Sequence, residues 1–112
     1  MIDYNLSDKM MVLIYVTVSD EEEAITIGEL IVKERLAACS NIISDMKSMY
    51  WWEGSIEKDN EAILILKTLE ENIDKIIDTI KEVHSYDNPC IIALPVLATS
   101  DDYLNWLKEE IR

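Results

Sequence analysis

His84-Ser85-Tyr86-Asp87-Asn88-Pro89-Cys90 brings an imidazole, a phenol and a thiol together within seven residues. It holds the only histidine of the chain, one of its two cysteines and one of its two prolines. An imidazole nitrogen and a thiolate are soft ligands that suit copper or zinc. The same pair can work as base and nucleophile in acyl transfer. Cys39, in Leu36-Ala37-Ala38-Cys39, supplies a second thiolate if the fold carries it near, and otherwise is a small buried hydrophobe. His84, Cys90 and Cys39 are therefore the candidate metal ligands. His84 also has a plainer reading: it follows Ile80 by four residues and Ile77 by seven, so it can cap a helix C-terminus on the terminal carbonyls.

A second constellation is polar and aromatic. Glu61 and Lys67 are six residues apart, which puts both on one face of a strand. Facing Tyr86 and His84, they line a polar cleft; otherwise they form a solvated or interface ion pair. Tyr50 and Trp52 share a face two residues apart, for packing against a partner or stacking on a ligand. Tyr50, Trp52, Glu61, Lys67, His84 and Tyr86 are the candidate ligand-binding residues, in a cleft between subunits. No phosphate loop, no H-E-x-x-H and no glycine turn for an oxyanion hole occurs in the sequence, so no catalytic residue and no enzyme activity is assigned.

Residues 10–112 make one domain, preceded by a polar extension over residues 1–9 that has neither the basic start nor the apolar core of a signal peptide. Hydrophobic residues make up 49% of the chain, ample for a core. Ten basic residues against 23 acidic ones give a net charge of −13. Such a surface repels phosphate backbones and anionic lipid, so neither nucleic acid nor membrane is an expected partner. Two cysteines without a C-x-x-C pair predict a reduced, cytoplasmic protein.

Hydropathy places these groups. The apolar run from Met10 to Val18 predicts a central strand buried on both faces. Ser19-Asp20-Glu21-Glu22 predicts a capping box for a first helix through Leu36. Two extended stretches follow, with an interruption at Ser44-Asp45 and a tight turn at Glu53-Gly54, predicting a long hairpin. Thr68-Leu69-Glu70-Glu71 predicts a second capping box, before a stripe of Ile73, Ile76, Ile77, Ile80 and Val83. A strand over Ile91 to Val96 and a last helix capped by Ser100 complete the order. This is β-α-β-β-α-β plus a C-terminal helix: an α+β, ferredoxin-like split βαβ fold with an antiparallel sheet and helices on one face. Met46, Met49, Tyr50, Trp51 and Trp52 load the hairpin with apolar surface that no helix remains to cover, so the chain is expected to associate with itself.

The motifs then resemble a known family. Val16-Thr17-x-x-Asp20-Glu21, Glu34-Arg35-Leu36-Ala37-Ala38-Cys39-x-Asn41-Ile42, Ser48-x-Tyr50-x-Trp52-x-Gly54, Lys67-Thr68, His84-x-Tyr86-x-x-Pro89, Ala93-Leu94-Pro95-Val96 and Tyr103-Leu104-x-Trp106 follow one another as in the CutA divalent-cation tolerance family. The resemblance implies a tight homotrimer, related in architecture to PII-type signal proteins, and a cytosolic protein of copper and divalent-metal tolerance. No cofactor is required; copper or another divalent cation is the implied ion. A PII-like small-ligand sensor with pockets between subunits, and a structural trimeric interaction platform, are the alternatives. The family loop usually has proline at Ser85, glutamate at Asp87 and glutamate at Cys90. Some members carry cysteine at Val16 and histidine at Val83, a metal set reduced here to His84.

Overall fold

The computed structural model describes residues 10–111; the polar extension expected over residues 1–9 lies outside the described residues. The strands are β1 (Met11–Val18), β2 (Cys39–Trp52), β3 (Ser55–Leu69) and β4 (Ile91–Pro95). The helices are α1 (Glu21–Lys33), α2 (Ile73–Val83) and α3 (Asp101–Glu110). The strands form one antiparallel sheet in the order β2-β3-β1-β4. The two β-α-β units are thus interleaved, as the split βαβ reading expects.

Alternation decides what each face does. Val12, Ile14, Val16 and Val18 of β1, with Ala62, Leu64 and Leu66 of β3, point to the helices and are buried. Ala24, Ile27 and Ile31 of α1 and Ile76 and Ile80 of α2 close over them. Each large aliphatic side chain buried in this way contributes about 1.5–3 kcal/mol. Val83, expected at the end of the α2 stripe, is exposed.

The opposite face is different. Leu13, Tyr15 and Thr17 are only half-buried, so β1 is central in the sheet yet closed on one face, not both. The physical reason is that α1 and α2 pack on a single side. Only the far end of the open face is covered. There α3 sets Tyr103, Leu104 and Leu107 against Met11, Leu13 and Leu69, forming a separate small core.

Local chemistry fixes the ends of the elements. Asp20, not Ser19, caps α1, accepting the Glu23 amide at 2.8 Å, while Glu23 reaches back to the Ser19 amide at 2.9 Å. The box is therefore shifted by one residue. The second expected box is absent. Thr68 lies within β3 and its hydroxyl donates to the Leu36 carbonyl at 2.6 Å, joined there by Asn72 Nδ2 at 3.0 Å. A tertiary acceptor outbid the local helix end, and a 3-10 turn over Glu70–Asn72 leads into α2 without a side-chain cap. Ser100 stands at the start of α3, also without a side-chain bond.

The hairpin is as long as expected. At its tip Glu53 and Gly54 have φ of 48° and 83°, the left-handed pair of a type I′ turn. The interruption at Ser44-Asp45 is a register shift between Ile43 and Met46, with Asp45 at φ 60°, a bulge that bends the strand. β1 ends opposite Ala62, so the ribbon beyond, from the Met46–Glu61 pair to Trp52–Ser55, extends as a free two-stranded arm of roughly 20 Å.

Gly28 permits the close seat of α1 on the hairpin. A Cβ there would meet Leu64 Cδ1 at 3.0 Å and the Ser40 Cβ and Oγ at 3.1 Å. Leu64 is fully buried, so its methyl has little room to shift. Gly28→Ala is expected to lower stability by about 1–2 kcal/mol, despite alanine's better helix propensity. Urea denaturation of the two proteins measures it, and a stabilised variant would contradict this packing.

Candidate functional site

The loop after α2 is held by three residues distant in sequence. His84 ends α2, its amide donating to the Ile80 carbonyl at 2.8 Å. Its side chain is 0% exposed. The ring does not turn back to the helix carbonyls, as the capping reading expected. Nε2 lies 2.8 Å from the Thr17 carbonyl of β1, and Nδ1 lies 3.0 Å from the Tyr86 amide. A carbonyl can only accept and an amide N–H can only donate, so Nε2 carries the proton and Nδ1 the lone pair. Both nitrogens are occupied.

Glu23 ties the same loop to α1. Its carboxylate accepts the amide and hydroxyl of Ser19, both at 2.9 Å, and the amide and hydroxyl of Ser85, at 2.8 and 3.0 Å. Burial pushes the Glu23 carboxyl up, but these four hydrogen bonds outweigh it and hold the group below the usual carboxylate range.

Tyr86 then reaches the hairpin. Its ring lies 4.9 Å from that of His84, and its hydroxyl donates to Glu61 Oε2 at 2.7 Å. Glu61 sits on the open sheet face and is 9% exposed. Burial, the bond to Glu61 and the nearby charges of Glu61, Glu23 and Asp59 all push the Tyr86 phenol up. Tyr50 makes the parallel contact with Asp59, two residues before Glu61 on the same face. That bond comes first, with burial and the charges of Asp59, Glu61 and Glu57 behind it, in raising the Tyr50 phenol to about 12. Glu57, Asp59 and Glu61 thus run down one face of β3, with a phenol on each of the last two.

The candidate residues fall into separate groups. Glu61, Tyr86 and His84 are together. Tyr50 and Trp52 lie further out on the arm, where Trp52 is exposed. Lys67 shares the face of Glu61, as expected, but lies six strand positions away, roughly 20 Å. Its ammonium is 5.7 Å from the centroid of the Tyr103 ring.

The three proposed metal ligands do not converge, although His84 and Cys90 both engage the Thr17 backbone. Cys90 is exposed just before β4, its carbonyl accepting the Thr17 amide at 3.2 Å. Cys39 is half-buried, not buried, and pairs with Lys67 at the far end of the sheet. It is four strand positions and two strands from the level of Thr17. Among the described residues no group of three or more His, Cys, Asp or Glu side chains is arranged to hold a metal ion. One chain does not bring His84, Cys90 and Cys39 together.

Sequence reasoning missed Glu23, Ser85 and Asp59. Asp59 was within reach, since it alternates with Glu61 on a strand facing Tyr50. Glu23 was hidden because its partners Ser85 and His84 lie about sixty residues away in sequence.

Two outcomes follow from this network. Replacing His84 with alanine leaves a partly buried carbonyl and amide without their partner and empties a buried side-chain site, and is expected to cost about 1–3 kcal/mol in urea denaturation. Glu23, with its pKa lowered on folding from 4.5, contributes stability that is present above pH 4.5 and lost as the pH falls through the folded value. Denaturation midpoints measured down an acid series should fall less steeply in Glu23→Gln; an unchanged slope would count against the network.

Known proteins share this fold. The sequence profile of the CutA1 divalent ion tolerance protein matches residues 12–110. The chain is 43% identical over 102 residues to the divalent-cation tolerance protein CutA of Pyrococcus horikoshii, covering 91% of this chain and 99% of that one. It is 42% identical over 101 residues to the chloroplastic protein CutA 1 of Oryza sativa, covering 90% of this chain but 57% of that protein. The chain thus spans little more than half the length of the plant relatives it matches. The crystal structure of CutA1 from Oryza sativa superposes with a TM-score of 0.90 at 40% identity, over 93% of this chain and 95% of that one. With the fold, the motifs and the matched length in agreement, this chain belongs to the CutA1 divalent ion tolerance family.

Proposed function

We propose that this protein acts in divalent-cation tolerance as a cytoplasmic homotrimer that receives a divalent cation in clefts between its copies and runs no covalent reaction. The observation that carries this reading is the open sheet face. Tyr15, Ile63 and Ile65 are half-buried there, and Ile43, Ile92 and Leu94 are 50%, 48% and 45% exposed. An apolar surface of that extent, flanked by the unpaired edges of β2 and β4, suits association with copies of the same chain. Three copies is the number that the family resemblance implies.

The acidic face of the arm supports a cleft for a cation. Asp59 and Glu57 stand beside Tyr50 and Trp52, offering oxygen ligands that suit a hard divalent ion. Copper held by His84, Cys90 and Cys39 is the less supported route, because a metal on His84 displaces either Thr17 or Tyr86. The same occupied nitrogens support a non-enzymatic reading, since His84 has none left to activate a thiol. Two free cysteines support a reducing compartment. Among the described residues no helix is long and apolar enough to cross a membrane. A small-ligand sensor is the second reading, favoured by the exposed ring of Trp52, two residues from Tyr50 on the same face.

Light scattering at micromolar concentration should give a mass three times that of one chain; the mass of a single chain overturns the assembly. Calorimetric titration with manganese, zinc and copper should show a site that Asp59→Asn weakens about tenfold, or 1.4 kcal/mol, and that Cys90→Ser leaves alone. The reverse pattern overturns the oxygen-ligand cleft in favour of the thiol.

A further inference from the structure

Among the described residues, Lys67 and Glu61 are the charged groups of the open sheet face that are at least half-buried, and neither has a counter-charge. Lys67 stands in a row with Cys39, Leu13 and Leu94, half-buried, with its ammonium over the Tyr103 ring. Among the described residues no carboxylate pairs with it. Glu61 is the other. It is 9% exposed, and among the described residues it takes one hydrogen bond, from Tyr86, and no cation. A buried carboxylate with a phenol alone is poorly compensated, and a cation on an apolar face is poorly solvated once that face is covered.

The two cannot meet inside one subunit. Six positions of a paired strand hold them roughly 20 Å apart, with Ile63 and Ile65 between them on the same face. The surface between them is the one that the proposed assembly covers, so this inference rests on that reading.

We propose that Lys67 of one copy completes the Glu61–Tyr86 site of the next. The contact is head-to-tail, and repeated around a ring it uses every Lys67 and every Glu61 once and leaves neither over. The free arm supplies the means. Glu61 sits at its root, where the ribbon leaves the shelter of β1, and Tyr86 and His84 behind it hold the carboxylate in place. Lys67 then neutralises the one buried acid of the row, while Glu57 and Asp59 keep their charge for a ligand. The cleft is incomplete without the second copy.

Charge exchange tests the pairing. Lys67→Glu and Glu61→Lys, each alone, should lower the light-scattering mass at micromolar concentration, because each places like charges in contact. The double exchange within one chain should restore the wild-type mass. Circular dichroism identifies a single variant that fails to fold. In that event the milder pair Lys67→Met and Glu61→Gln takes its place, each expected to raise the concentration of half-dissociation about tenfold, with the double variant no worse than either single. Single exchanges that keep the wild-type mass, a double exchange that recovers nothing, or additive effects in the milder pair overturn the inference while leaving the assembly standing. A wild-type protein with the mass of one chain overturns both.

Discussion

The proton on Nε2 of His84 fixes the geometry of the whole end of the sheet. It bonds the Thr17 carbonyl near the end of β1, and the lone pair on Nδ1 takes the Tyr86 amide. With its amide held there and its ring beside the imidazole, Tyr86 reaches Glu61 through its hydroxyl. The root of the arm, the loop before β4 and the start of α1 are thereby joined through a single buried imidazole. Its value lies in having two ends that differ in kind, one donor and one acceptor. No carboxylate or amine of that size offers both.

Ser85 adds something particular to this chain. The family loop that the sequence resembles usually has proline there, which has no amide hydrogen. Here the Ser85 amide and hydroxyl both donate to Glu23, so the loop is tied to the first turn of α1 by bonds of which a proline could make neither. What holds the loop is a charged acceptor at the head of a helix. The exposed Cys90 at the end of the same loop has no comparable partner among the described residues, and nothing in the structure explains why it stands where glutamate is usual.

Much of the fold was legible because it obeys local periods. Val12, Ile14, Val16 and Val18 alternate, Ile76 and Ile80 recur at helical spacing, and Glu53-Gly54 can close a two-residue turn. The break at Ser44-Asp45 was readable as an interruption, and Asp45 tolerates the left-handed backbone of the bulge that makes it. What failed were inferences from short polar strings. Thr68 before two glutamates looks like a helix cap, but the Leu36 carbonyl, thirty-two residues away, claimed the hydroxyl. The two faces of β1 read alike in the sequence, and only the placement of both crossover helices on one side tells them apart. In the site, the shared face of Glu61 and Lys67 was readable from parity. Their separation along the strand, and the engagement of His84 by a residue sixty-seven positions away, were not.

The arm beyond β1 has a consequence of its own. A ribbon of two strands with no third neighbour is at best marginally stable in water, and this one carries Trp51 at 73% exposure near its tip. Its backbone order must be borrowed from whatever lies against it. The arm should be the first segment to fray in a separated chain, its amides exchanging with solvent long before those of β1. In the proposed assembly, how much of the polypeptide is folded therefore depends on how many of its fellows are present.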